Sequence, residues 1–289
     1  MITAALLAVL AAVCNACSSV LQRRAALSVS PELGLRPGLI WALLRNALWR
    51  WGIVALIGGF VFQAAALSIG SIALVQPTLV IELPFTMIIL SLAFGTVLDR
   101  RSWLAIGALS AGLAMFLGAA VPGPGQWTPD AAAWIVAAAV TSATIAALVA
   151  VGALARGPLR PAALGVAGGF GFAFTATLIK ECTTIFKENP AALPVSWPLY
   201  AMVAAGLCSL YLLQNALHSG TLVVAQPALT ISDPLAGILY GALMFGEPIR
   251  TGPWLAFEVA GAGLLVYGVV ELVRSPLIQA QSVLPPARK

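Results

Sequence analysis

The chain has 289 residues, 61% of them hydrophobic and 9% charged, with a net charge of +5. Soluble domains carry about 25% charged residues, so this composition cannot clothe a water-facing surface. It excludes a soluble enzyme, and the surplus of cations is read as a topological signal rather than as a nucleic-acid footprint.

At about 20 residues per crossing, the apolar stretches make an all-α integral membrane protein of nine spans. These fall at roughly 2–21, 51–69, 71–98, 102–121, 131–154, 161–180, 197–217, 220–246 and 252–272. The first lacks the basic leader of a cleaved signal and is followed by Arg23-Arg24, so it reads as a retained helix. Residues 31–50 hold three arginines and a Leu/Trp face, and are expected to lie on the cytoplasmic surface as an amphipathic helix. Their entry into the membrane would make ten spans.

The second and third spans share 48 residues, 51–98, with a single charge at Glu82. Lys180-Glu181 and Lys187-Glu188 read as solvated pairs flanking an external loop after the sixth span, and Glu247-Pro248 as the cap of a turn after the eighth. With the N-terminus outside and the C-terminus cytoplasmic, twelve of the fifteen cations face the cytoplasm, as the positive-inside rule asks of a cell-membrane protein. Only Lys180, Lys187 and Arg250 stay outside.

The third and eighth spans carry a repeated sequence. ALSIGSIALVQPTLVIELP (66–84) returns as ALHSGTLVVAQPALTISDP (216–234), eight of nineteen positions being identical. Four crossings lie between the copies, so they run in opposite directions and form an inverted repeat. FGTVLDRRSWLAIGALSAGL (94–113) matches FGEPIRTGPWLAFEVAGAGL (245–264), and SSVLQR (18–23) more weakly matches TATLIK (175–180). The chain thus divides into a first half at 1–121 with the surface segment 22–50, a linker helix at 122–160, a second half at 161–273 and a tail at 274–289.

Each copy holds an acid before its closing proline, Glu82 and Asp233. An ionised acid in the bilayer costs about 2.5–3.5 kcal/mol on insertion scales, so it is a functional candidate by default. Pro77, Pro84, Pro227 and Pro234 remove backbone donors and are expected to break the helices. Freed carbonyls, the amides of Gln76 and Gln226, and the hydroxyls of Thr78, Thr230 and Ser232 would then join the acids around a central site. The competing reading is that each acid is protonated and bonded to a neighbouring helix. Glu258, six residues into the last span, is a secondary candidate. Glycines at 165, 168, 169, 171, 237 and 241 suit close helix packing, the commoner role, or a mobile gate.

Enzyme chemistry finds little footing. The three lysines are followed by Glu, Glu and the chain end, so no P-loop exists. One histidine, His218, and scattered cysteines make no usual zinc site, and Cys14-x-x-Cys17 lies within an apolar helix. No cofactor is expected. The expected partners are the bilayer, a small-molecule or cation substrate and, as an option, a second copy in a homodimer.

The chain resembles the drug/metabolite transporter superfamily, and within it the NIPA-type magnesium transporters and their bacterial relatives. The likeness rests on SSVLQRRAA (18–26), Trp51-Gly52, LVQP (74–77), TATLIKE (175–181), LLQNALHSGTLVVAQP (212–227) and the Phe-Gly-Glu-Pro ending at 245–248. It implies an inverted-repeat fold and transport without nucleotide hydrolysis, by alternating access around a central site. Cargoes it allows are a small solute, or Mg²⁺ or another divalent cation held by Glu82 and Asp233. Where the family typically reads Gly-Glu-x-x-Asn, this chain has Gly59-Phe60-Val61-Phe62-Gln63, so the acid expected there is absent. A non-transporting scaffold or lipid-handling subunit is the alternative of a different class.

Overall fold

A computed structural model describes residues 1–27, 45–94, 98–123, 125–155, 157–219, 222–248, 250 and 252–274. Most of the predicted surface segment, the side chain of His218 and the C-terminal tail therefore lie outside the described residues. The described chain forms ten α-helices: α1 Ile2–Leu27, α2 Ala47–Ile69, α3 Ile72–Leu79, α4 Glu82–Phe94, α5 Arg100–Ala120, α6 Ala131–Leu154, α7 Leu159–Glu188, α8 Trp197–Ser219, α9 Leu222–Phe245 and α10 Trp254–Val273. Taking α3 and α4 as one crossing, nine segments are long and apolar enough to span a bilayer among the described residues. Outward faces carry Ile135, Leu154, Leu243 and Leu92, each at least 70% exposed, which only lipid can cover. The protein is an all-α integral membrane protein.

Helix starts follow ordinary capping chemistry. Asn46, Ser71, Asp99 and Asp130 each accept a hydrogen bond from a backbone N–H of the turn that follows. One expected boundary is wrong. α7 continues to Glu188, about 45 Å at 1.5 Å per residue, so Lys180 and Lys187 lie on the helix and not in a loop. The polar run KECTTIFKE is compatible with helix because Lys180 and Lys187 find partners on neighbouring elements and Thr183 and Thr184 donate to the Lys180 carbonyl of the helix itself.

Corresponding helices make corresponding contacts. α1 packs on α2 and on α3–α4, while α7 packs on α8 and α9; α5 pairs with α10, and α3 crosses α9. The crossing is antiparallel: Gly237 faces Gln76, and Gly241 lies nearer Ala73. The α5–α10 seam is antiparallel too. Gly261 lies against Phe116 and Gly112, and Gly268 against Leu109, each so close that a Cβ would fall within 3 Å of backbone. The main core gathers at one end of the bundle, where Leu67, Ile72, Val75, Leu178, Met244 and Phe245 are buried together. There Trp134 of α6 meets Trp197 at 5.2 Å and Phe174 at 6.3 Å, and Phe174 meets Tyr240 at 5.8 Å. These edge-on and tilted contacts join α6, α7, α8 and α9.

Candidate functional site

The two copies of the repeat differ in backbone. In the first, the N–H groups of Val80, Ile81 and Leu83 bond to the carbonyls three residues back, on Pro77, Thr78 and Val80. This tight turn separates α3 from α4. Pro84, having no N–H, leaves the Val80 carbonyl to Leu83. In the second copy α9 runs unbroken from Leu222 to Phe245 with Pro227 and Pro234 inside it. The expectation of two broken helices therefore holds for one copy alone. A helix interior can absorb a missing donor without a break, and Pro227 and Pro234 are absorbed in that way.

The predicted site residues separate into three groups. Glu82 is half-buried, with the Asn15 side chain of α1 beside it. Asn15 in turn fills the space beside Gly59 of α2, where any side chain would collide with it. Asp233 faces other company. Its backbone and Ser232 pack on Gly169 of α7, and its Oδ1 is buried with no hydrogen-bond partner within the protein. Ser232 Oγ lies 3.2 Å from the Leu229 carbonyl and 3.5 Å from that of Val166. Gln76 is buried against Gly237, and Thr78 Oγ1 donates to the Leu74 carbonyl at 2.7 Å. Gln226 is half-buried. Glu258 is buried, and its Oε1 likewise has no partner.

A small cleft of about 70 Å³, partly open to the surroundings, lies between α3, α5, α9 and α10. Pro77, Val80, Phe116, Pro234, Leu235 and Val266 are among its walls. Among the described residues Thr230 is the single polar side chain lining it, and neither Glu82 nor Asp233 does so. Pro77 and Pro234 are thus brought together across the crossing, whereas the two acids point to different neighbours. The six glycines predicted for packing do serve that purpose: Gly165, Gly168, Gly169 and Gly171 meet α8 and α9, and Gly237 and Gly241 meet α3 or Glu247.

The strongest polar cluster was read from the sequence as two unrelated surface features. Glu247 has a fully buried carboxylate that accepts from Ile72 N–H at 2.8 Å, Ala73 N–H at 3.0 Å and Lys180 Nζ at 2.5 Å. Lys180 also lies 3.4 Å from the Gly70 carbonyl and 4.7 Å above the Phe245 ring. A carboxylate on the first amides of α3 complements the helix dipole, and the ammonium neutralises it. Gly241 leaves the room for this: any side chain there would collide with Glu247. Gly246, with φ of +59°, turns the chain and receives the Trp127 ring face. Lys180 and Lys187 are therefore no loop pairs with Glu181 and Glu188, since Lys187 reaches the Ser68 carbonyl. The motifs near the other end have a comparable use. Ser18 Oγ donates to the Gly52 carbonyl at 2.8 Å, and Gln22 donates to Ser18.

Among the described residues no group of three or more His, Cys, Asp or Glu side chains comes together. The chain is similar to an uncharacterized protein of Corynebacterium glutamicum, 27% identical over 267 residues that cover 91% of each chain. No family model matches, and no solved structure matches.

Proposed function

We propose that this membrane protein is a secondary transporter that moves a small solute or cation between its two halves by alternating access. The observation that carries the reading is Asp233. It sits at the middle of α9, about 16–18 Å from either helix end at 1.5 Å per residue, with a buried carboxylate oxygen left unpartnered. A buried polar atom without a partner costs about 1–3 kcal/mol, more if charged. A group that takes up and releases a proton or cation accounts for keeping it. Its helix crosses the inverted copy of itself, which is where such transporters place their sites. The apolar cleft beside Pro234 supports a cargo with an organic body, while Mg²⁺ favours oxygen ligands and retained waters. The magnesium reading stands on the sequence resemblance.

Flux into proteoliposomes tests the reading with monovalent and divalent cations, lipophilic cations and neutral amphipathic solutes. A saturable flux that Asp233→Asn abolishes is expected for one of these classes. Absence of any such flux from folded protein would favour a scaffold or lipid-handling role.

A further inference from the structure

The Lys180–Glu247 cluster is unequal in a way that bears on motion. Lys180 on α7 and Glu247 after α9 both belong to the second half, whereas Ile72, Ala73 and Gly70 belong to the first. Separation of the halves at this end would leave the ion pair whole and would strip Glu247 from the α3 amides. The same end is tied by Gly123 N–H to the Pro248 carbonyl, Gln126 N–H to Phe245 and Arg250 N–H to Ala120. Those bonds join the α5–α6 loop to the α9–α10 loop and leave α3 aside. Between the halves, what holds α3 is Glu247 together with the buried contacts of Ile72, Val75 and Gln76, while α1 of its own half also packs on it.

We propose that the Glu247 carboxylate, clamped by Lys180, is the latch of a gate at this end, closing it by capping α3 and opening it by release of that cap. This rests on the transport reading and adds which end is shut in this structure and which contact yields. Lys180 holds the carboxylate in place for recapture. The α3 turn at Val80–Ile81 provides the joint about which the short helix, Ile72–Leu79, can tilt. α9, having no such break, serves as the fixed partner.

The test places a cysteine at Ala73, which is 1% exposed beside the latch, with the four native cysteines replaced by serine. Its rate of alkylation by a water-soluble maleimide is measured in proteoliposomes. Slow labelling is expected with Glu247 and Lys180 intact, rising at least tenfold in Glu247→Gln and in Lys180→Met. Rates within twofold of the parent in both folded variants would overturn the latch. A measurement needing no variant runs alongside it: residue-resolved hydrogen exchange of the unmodified chain. Ile72 and Ala73 amides should exchange at least tenfold faster than those of Leu109 and Phe116 in the α5–α10 seam. Equal protection would contradict the proposal even if the variants failed to fold. Loss of all flux with these rates as expected would sink the transport reading alone; intact flux with unchanged rates would sink the latch alone.

Discussion

Glu82 and Asp233 come from neighbouring places in two copies of one sequence, Glu82 aligning with Ser232 and Asp233 lying one residue further on, and the fold treats them differently. Glu82 follows a turn that splits its helix, and the Asn15 side chain lies beside its carboxylate. Asp233 sits in an unbroken helix, pressed on Gly169, with Oδ1 unpartnered. One acid has a polar side chain beside it, and the other has a buried oxygen without a partner. Duplication supplied two candidates, and local packing made them inequivalent. The split copy gains a joint, and the unsplit copy keeps an unsatisfied acid. The polar cluster at the end of the crossing follows the same division, with Glu247 from the second half capping the helix of the first.

The contrast can be broken by substitution. The largest effect is expected at Glu247→Ala, which strands the Lys180 ammonium and two helix amides. Removing one member of a buried pair costs about 3–5 kcal/mol, read as reduced stability to thermal or chemical unfolding in detergent. Gly261→Ala comes next, because its Cβ would lie 2.6 Å from the Phe116 nitrogen. Overpacking of this kind costs about 1–3 kcal/mol, and the same unfolding measurement should show it without a change in Ala73 accessibility. Asn15→Ala empties the space beside Gly59 and removes the amide beside Glu82, at about 1–3 kcal/mol. A smaller loss, about 1 kcal/mol, is expected at Ser71→Ala, which removes the cap on Leu74 N–H. Asp233→Asn should alter stability least, by under about 0.5 kcal/mol in either direction, since no bond to Oδ1 is lost. If Asn15→Ala and Asp233→Asn proved equally destabilising, the distinction between the two acids would fail.

The nine crossings were legible because span length and composition are set by the bilayer, and the inverted crossing because Gln-Pro and the closing proline recur at fixed spacing. The glycine-packed seams could also be read. Two kinds of feature could not. Partners distant in sequence, such as Lys180 with Glu247, leave no mark in local pattern; the only hint was a lysine next to the apolar stretch 161–179 with no charge beside it but Glu181. Asn15 was a lone amide in an apolar helix, a signal of the same kind as Glu82, and it was passed over because it carries no charge. The difference between α3–α4 and α9 was hidden as well. Both copies have prolines at matching positions, and only the surrounding packing decides whether a missing donor becomes a turn or is absorbed.

The central claim is that Asp233, and not Glu82 of the other copy, carries the transport chemistry. It is tested most directly by comparing Asp233→Asn and Glu82→Gln with the parent chain in the same proteoliposome flux assay, each confirmed as folded. A loss of at least tenfold is predicted for Asp233→Asn, with Glu82→Gln retaining at least a third of the parent rate. Parent-like flux in Asp233→Asn would contradict the account.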